Sequence, residues 1–326
     1  MPPIVSAVIT TYNSANSIEA CLSSLLQQQY QPLEVIVIDN ASSDDTRDLL
    51  SKFHESAKLI FNQQNVGFAA AQNQGFSEAS GDWLLSLNPD VILNPDFVAK
   101  LIANTDADPE VGTLCGKLLR WQPGSADERS RVIDSAGIYF TRNLRHFDRG
   151  AEQLDRGQYD RSEYVFGATG AAALYRREMV RDVSVEGQFF DEDFFAYRED
   201  ADLAWRAQIM GWRCFFVPTA VAWHIRRVTP ERFQQLPLLI NWHSVKNRFL
   251  MRAKNISAPL YRRVFFPTTF RDLMIVGYCL LRDWRLLSAL VFPWRKRREL
   301  RRKRHWVQTH RRIPDRELFR WFAATN

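Results

Sequence analysis

The fold of this chain is decided by the stretch Leu33-Glu34-Val35-Ile36-Val37-Ile38-Asp39, a nearly continuous apolar run that ends on an acid. Such runs, bounded by polar turn residues, are typical of strands buried on both faces of a sheet. The same order of strand, polar turn and helix begins upstream at Val5, and further strands are predicted at 58–62 and 83–87. The alternation predicts an α/β fold with a mainly parallel sheet flanked by helices.

The composition is that of a folded protein, but the charge is unevenly distributed. The 326 residues are 46% hydrophobic and 13% aromatic, which is enough to fill a substantial core. Residues 231–326 hold 22 of the 43 Lys and Arg but only 6 of the 37 Asp and Glu. We therefore expect a catalytic domain in residues 1–230 and a helical, basic region in residues 231–326 that meets an anionic surface.

The cysteines and the N-terminus favour a reducing, cytoplasmic location. Cys21, Cys115, Cys214 and Cys279 lie far apart and form no close pair, so neither a zinc knuckle nor a disulfide framework is indicated. Residues 1–6 lack the basic region and long apolar run of a signal peptide. Secretion is therefore not expected.

The turn after the first strand argues against several nucleotide-dependent enzymes. Residues 10–17 contain neither glycine nor a basic residue. A dinucleotide fingerprint or a phosphate loop needs glycines there, and nucleotidyltransferases usually carry a glycine-rich basic loop at this point. Dehydrogenases, phosphate-loop enzymes and nucleotidyltransferases are therefore disfavoured.

Polar residues follow the predicted strands at the sheet edge where ligands bind in parallel α/β folds. Thr11 and Tyr12 end the first strand, and Asp39 ends the second. Gly67 lies in the loop before the third helix, and Asn88-Pro89-Asp90 follows the fourth strand. This arrangement predicts a nucleotide pocket.

A second polar cluster, Glu199-Asp200-Ala201-Asp202, opens an amphipathic helix. Carboxylates in a first turn are stabilised by the helix dipole and the free amides, which would keep a base ionised. Acids are also simply favourable at helix starts, and this reading needs no catalysis.

In this order and spacing, the motifs resemble those of the inverting family-2 glycosyltransferases, which have the GT-A nucleotide-diphospho-sugar transferase fold. The resemblance runs from about Val5 to His224 and implies the following roles. It places the donor nucleotide at Thr11, Tyr12, Asp39, Gly67 and Asn88. It places Mg²⁺ or Mn²⁺ at Asp90 and His224, the acceptor at Gly170, Glu199 and Asp202, and the general base at Asp200.

Some of these roles have structural alternatives. Asp39 is also a suitable residue to close an Asx turn after its strand. A lone histidine such as His224 after a strand is often structural. Asn88 stands where the commoner family pattern has a first acid, which leaves Asp90 as the acid of this motif.

Within the family, the motif combination is most similar to that of bacterial rhamnosyltransferases. This implies dTDP-L-rhamnose as donor and a saccharide or polyprenyl-linked acceptor in cell-surface polysaccharide synthesis. The alternatives are a UDP- or GDP-sugar donor, or a non-catalytic transferase-like module that binds a membrane or nucleic acid. Residues 120–165 are irregular and charged, and we interpret them as an insertion that contacts the acceptor.

The C-terminal region combines apolar and basic surfaces. The apolar run 273–281 is interrupted by Arg282, Asp283 and Arg285, well short of the about 20 residues of a spanning helix. We expect peripheral contact with the inner face of the cytoplasmic membrane through residues 270–305, and no nucleic acid. The same helices could equally pair subunits in a homo-oligomer.

Overall fold

The computed structural model describes residues 2–105, 108–121, 129–226 and 237–322. Its strands are β1 (Val5–Thr11), β2 (Leu33–Asp39), β3 (Lys58–Phe61), β4 (Trp83–Leu87), β5 (Val91–Leu93), β6 (Val111–Trp121), β7 (Arg129–Ser135), β8 (Ile138–Phe140), β9 (His146–Asp148), β10 (Glu163–Val165), β11 (Ala172–Arg176) and β12 (Arg213–His224). Its α-helices are α1 (Ile18–Leu26), α2 (Thr46–Ser51), α3 (Phe68–Glu78), α4 (Phe97–Ile102), α5 (Arg177–Val183), α6 (Glu199–Ile209), α7 (Leu238–Asn255), α8 (Ala258–Leu281), α9 (Leu287–Arg295), α10 (Arg297–Thr309) and α11 (Asp315–Arg320).

A ten-stranded mixed sheet forms the centre, in the order β10-β12-β6-β11-β4-β1-β2-β3, with β5 pairing to β12 and β7 to β6. β3, β2, β1 and β4 are parallel, as the alternating sequence pattern predicts. β11 runs antiparallel between β4 and β6 and so makes the sheet mixed. β8 and β9 form a separate two-stranded sheet.

Helices cover both faces of this sheet because its central strands are apolar on both sides. Val5 and Ile9 in β1 pack into the hydrophobic cluster that contains α1 and α4. Val8, between them on the opposite face, packs with Ile36 of β2 and with residues of α3 and α6. The expected α/β fold with helices on both faces is confirmed.

The C-terminal helices pack directly on the body of the protein. The predicted domain boundary between residues 230 and 231 lies outside the described residues. On either side of it, one hydrophobic cluster joins Phe140 of β8 and Trp205 of α6 to Leu250 of α7, Leu260 of α8 and Val307 of α10. The predicted helical character of this region is confirmed for residues 238–320.

Helix α8 differs from the sequence expectation. By length and composition alone it is long and apolar enough to cross a membrane, and 17% of its apolar stretch is buried. The apolar part of α8 is longer than the run 273–281, because the helix also carries Phe265, Phe266 and Phe270 upstream of Asp272.

Candidate active site

The residues expected to bind the donor nucleotide lie together where β1 and β2 finish. The parallel register places Thr11 opposite Asp39. Asp39 is fully buried, and its Oδ2 accepts hydrogen bonds from the Ser42 amide at 3.2 Å and from Arg47 Nε at 2.6 Å. The bond from Ser42 shows that Asp39 also shapes its turn.

Two oxygens in this pocket remain unused. Within the described part of the chain, Asp39 Oδ1 and the Thr11 hydroxyl are buried and have no hydrogen-bond partner. Leaving a buried polar group unpaired costs about 1–3 kcal/mol. A ligand that offers N–H or O–H donors, such as a nucleoside, fits this pair of oxygens. Tyr12 lies next to them and is 49% exposed.

The loop before α3 brings the donor end against a second loop. Gly67 has φ +88°, and a Cβ built there would lie 2.5 Å from Phe195 Cδ2 and 2.7 Å from the Phe195 carbonyl oxygen. The amide of Ala69 donates to that carbonyl at 3.1 Å. Asn40 holds the loop from the other side, donating through Nδ2 to Asn65 Oδ1 at 2.9 Å and to the Gly67 carbonyl at 3.2 Å. The glycine is needed for the close approach.

The residues expected to hold a metal lie together at the ends of β4 and β12. His224 Nε2 lies 3.4 Å from Asp90 Oδ1, and His224 Nδ1 lies 2.8 Å from Asp134 Oδ2. Burial lowers the pKa of His224, but the hydrogen bonds to Asp134 and Asp90 outweigh it and raise the pKa to about 9. Asn88 precedes this group, and its amide donates to the Ala171 carbonyl at 2.9 Å.

This group has the donor chemistry of a divalent-cation site. A metal-binding histidine commonly has its second ring nitrogen fixed by a carboxylate, as Asp134 does here. The described residues contain no group of three or more His, Cys, Asp or Glu side chains arranged to hold a metal. Asp90 and His224 therefore fit Mg²⁺ or Mn²⁺ only if other oxygens, such as those of a diphosphate, complete the coordination.

Asp200 lies in the first turn of α6, as the sequence predicts. Its Oδ2 accepts the Gly170 amide at 3.0 Å, and its Oδ1 accepts the Ala201 amide at 2.7 Å. Burial raises the pKa of Asp200, and the bond from Gly170 opposes that rise. Gly170 is thus in direct contact with the candidate base.

Glu199 differs from its neighbour. It is 8% exposed, and its Oε2 is buried without a hydrogen-bond partner in the described ranges. Burial and the charge of Asp200 raise the pKa of Glu199 to about 8. Burial thus favours the protonated form of Glu199 beside Asp200.

Asp202, expected to contact the acceptor, is held by side chains of α6 and α7. It is fully buried, with Oδ2 contacting Arg206 Nε at 3.0 Å and Lys254 Nζ at 2.8 Å, and with Oδ1 accepting from Asn255 at 2.8 Å. The reason is helical geometry, since two residues rotate a side chain by about 200°. Asp202 therefore ties α6 to α7.

The structure also reveals residues that sequence reasoning missed. Asp134 is the next-to-last residue of β7 and Asp39 is the last of β2, so an acid near a strand end was an available signal. Asn247 of α7 contacts the loop before Asp200. Lys303 of α10 pairs with Asp191 at 2.7 Å. Nothing in the sequence near Asn247 or Lys303 indicates these long-range contacts.

Comparison with known proteins identifies the family of this chain. The model of glycosyl transferase family 2 matches residues 6–184. A poly-beta-1,6-N-acetyl-D-glucosamine synthase of Staphylococcus aureus (strain MSSA476) is 28% identical over 273 residues, covering 80% of this chain and 60% of the relative. The Staphylococcus epidermidis synthase is 24% identical over 225 residues, covering 67% of this chain and 49% of the relative. The chain thus spans less than two thirds of these relatives.

Solved structures show the same fold. GalNAc-T7 with UDP, GalNAc and Mn²⁺ aligns with a TM-score of 0.58 at 16% identity, covering 77% of this chain and 48% of that one. The mannosyltransferase PcManGT of Pyrobaculum calidifontis, with GDP-Man and Mn²⁺, aligns with a TM-score of 0.53 at 19% identity, covering 98% of this chain and 79% of that one. S. aureus TarS 1–349 with UDP-GlcNAc aligns with a TM-score of 0.55 at 16% identity, covering 88% of this chain and 78% of that one. The predicted GT-A fold is confirmed.

Proposed function

Because this chain belongs to glycosyl transferase family 2, we propose that it transfers a sugar from a nucleoside diphosphate to a hydroxyl acceptor, with inversion at the anomeric carbon. The observation that carries the proposal is the position of Asp200. It lies at the start of α6, oriented by the Gly170 amide, next to Glu199, whose pKa burial raises to about 8, and close to the loop that packs on Gly67. One ionised carboxylate beside a nucleotide pocket is what direct displacement requires.

In the proposed reaction, Asp200 accepts the proton of the acceptor hydroxyl as that oxygen attacks the anomeric carbon. The diphosphate leaves from the opposite face, so no covalent enzyme intermediate forms. Asp39 and Thr11 orient the base of the donor through their unused oxygens. A bound divalent cation, held by Asp90 and His224, would neutralise charge on the leaving diphosphate.

For the donor, the motifs and the relatives point to different sugars. The motif combination favours dTDP-L-rhamnose, whereas the compared proteins are named for N-acetylglucosamine polymers or bind UDP-GlcNAc, UDP or GDP-Man. None of these names supports rhamnose. We therefore place UDP-GlcNAc first among donors and dTDP-L-rhamnose second, and cell-surface polysaccharide synthesis as the process.

Calorimetry tests the donor. The full chain is titrated with UDP-GlcNAc, dTDP-L-rhamnose and GDP-mannose, each with and without Mn²⁺ or Mg²⁺. We expect metal-dependent binding of one donor, retained in Asp200→Asn and lost in Asp39→Ala. Glu178→Gln, an exposed acid in α5, is the control that alters charge away from the site. If no donor binds, a non-catalytic binding module becomes the better account.

For the acceptor, we propose a lipid-linked saccharide reached at a membrane surface. Phe266, Phe270, Leu273 and Leu281 lie on one stripe of α8 and are 81%, 69%, 65% and 85% exposed. The stripe ends near Trp284, which is 74% exposed. An exposed apolar stripe beside a basic helix is typical of contact with anionic lipid.

Vesicle sedimentation tests this contact. The full chain should bind vesicles of phosphatidylglycerol more strongly than vesicles of phosphatidylcholine, because α9 and α10, which follow α8 in the chain, carry exposed arginines. A Phe270→Ser/Leu281→Ser double variant should lose binding to both. Unchanged sedimentation of the double variant, or concentration-dependent dimers that it abolishes, would instead identify the stripe as a protein interface.

A further inference from the structure

The loop that leads into Asp200 is held by helix α7. Asn247 of α7 is fully buried, and its Nδ2 lies 3.0 Å from the carbonyl oxygen of Phe194, 2.8 Å from that of Ala196 and 2.7 Å from that of Tyr197. Buried carbonyl groups are normally satisfied by regular secondary structure. Here the two N–H groups of one side-chain amide are shared among three carbonyls, and that of Phe194 also accepts the Ala196 amide at 2.8 Å.

The neighbouring carbonyls are satisfied in the same way. Lys246, the preceding residue of α7, donates through Nζ to the Asp193 carbonyl at 2.6 Å. The Phe195 carbonyl accepts the Ala69 amide from α3. The carbonyls of Asp193 to Tyr197 are therefore held in succession by residues from outside the loop, four of the five by α7.

The loop needs this support because its backbone is strained. Phe195, Tyr197 and Arg198 have φ values of 67°, 70° and 70°, in the left-handed region that non-glycine residues rarely adopt. Such conformations persist only where the surroundings over-determine them, and they cluster at functional sites. Arg198 immediately precedes α6, so the strained backbone sets the direction in which Glu199 and Asp200 leave the loop.

The loop is also fixed on its donor side. The Phe195 ring stacks on His243 of α7, with ring centroids 4.9 Å apart and planes 16° apart. The other side of Phe195 contacts Gly67 of the donor loop. The same loop therefore touches the nucleotide end of the site through α3 and the C-terminal region through α7.

We propose that Asn247 is a positioning residue for Asp200, so that helix α7 of the basic C-terminal region is an integral part of the catalytic unit. The proposal rests on the proposed function of Asp200 as a base. Asn247 keeps the strained loop in the one conformation that presents the Asp200 carboxylate beside the Gly170 amide. Without it, the loop relaxes and Asp200 loses its orientation, while Asp39 and Thr11 remain in place.

The variants are Asn247→Ala, which removes the amide, and Asn247→Ser, which keeps a single hydroxyl donor. Met251→Ala is the matched control, because Met251 is fully buried one turn further along α7 and belongs to the hydrophobic cluster around Trp205. That control destabilises the helix without removing a donor to the loop. If Asn247→Ala does not fold, Asn247→Ser provides the same comparison.

Amide hydrogen exchange on the full chain reports the loop directly. We expect the amides of Phe195 and Ala196, and that of Ala69, to exchange at least about tenfold faster in Asn247→Ala than in Met251→Ala. Turnover of the donor selected by calorimetry should show kcat reduced about ten- to a hundredfold, since a displacement of 1 Å can cost a hundredfold. The dissociation constant for the donor should change less than threefold.

Either of two results would overturn the proposal: unchanged exchange in the loop, or a loss of kcat no larger than in Met251→Ala. Failure of the proposed function gives a different pattern. In that case the wild-type protein turns over no donor, while the exchange experiment still decides whether Asn247 holds the loop.

Discussion

Replacement of Gly67 by alanine tests the contact between the donor loop, which holds Gly67 before α3, and the base loop, residues 193–198, which leads into the candidate general base Asp200. Gly67 has φ +88° and ψ 163°, a region essentially confined to glycine. Adopting it costs another residue about 1–3 kcal/mol. The new methyl group would also lie 2.5 Å from Phe195 Cδ2 and 2.7 Å from the Phe195 carbonyl oxygen.

Neither contact can relax cheaply. The Phe195 ring stacks on His243, and the Phe195 carbonyl accepts the Ala69 amide. Forcing an extra methyl group into such a packed site costs about 1–3 kcal/mol. Together the two effects give a loss of about 2–6 kcal/mol in the free energy of unfolding for Gly67→Ala.

Gly187→Ala is the matched control, because Gly187 has φ +80° and a Cβ there would meet nothing within 4 Å. We expect it to lose only about 1–2 kcal/mol, from backbone strain alone. Urea unfolding measures both losses, and calorimetry measures donor affinity. Gly67→Ala should bind the donor at least about tenfold more weakly than the control. Equal stability losses and equal donor affinities in the two variants would refute the packing argument.

Three further predictions concern the acids. Asp200→Asn should lower kcat by about a hundredfold or more with unchanged donor affinity, and steady-state kinetics that show a change in KM alone would exclude the base role. Because the pKa of Glu199 is raised to about 8 by burial and Asp200, wild-type stability should fall as pH rises from about 4.5 to 8. Glu199→Gln should remove that fall, which amounts to a few kcal/mol in the free energy of unfolding measured with urea. Identical pH profiles of stability for the wild type and Glu199→Gln would disprove the raised pKa of Glu199. Lys303→Met leaves buried Asp191 without one of its two cations and should lower the free energy of unfolding by about 3–5 kcal/mol. Arg301→Met, at an exposed position of α10, should change that free energy little. Similar melting temperatures of the two variants would contradict this expectation.

The clustering of Thr11 with Asp39 is predictable from sequence for a physical reason. Apolar runs fix the strands, and parallel pairing then brings their last residues to one edge, as the register of Thr11 with Asp39 shows. Asp200 could be placed because a helix start is a local feature. The contacts of Asp202 with α7 could not be read from spacing, because two residues along a helix rotate a side chain by about 200°.

The remaining parts depend on contacts that no local pattern encodes. Asp134 meets His224 across 90 residues, and Asn247 meets the base loop across about 50. Tyr197 and Arg198 have a left-handed backbone, although neither is a residue type that commonly adopts it. The C-terminal helices were expected to be an appendage because their charge is conspicuous in sequence. The buried contacts of these helices with α6 and with the base loop cannot be recognised in the sequence.

The central claim is inversion with Asp200 as base, and the stereochemistry of donor hydrolysis tests it most directly. Proton NMR follows the sugar first released when the donor selected by calorimetry is turned over with water as acceptor. We predict that the first product has the anomeric configuration opposite to that of the donor, and that Asp200→Asn releases it at least about a hundredfold more slowly. Initial release of the same anomer, or an undiminished rate in Asp200→Asn, would contradict the mechanism.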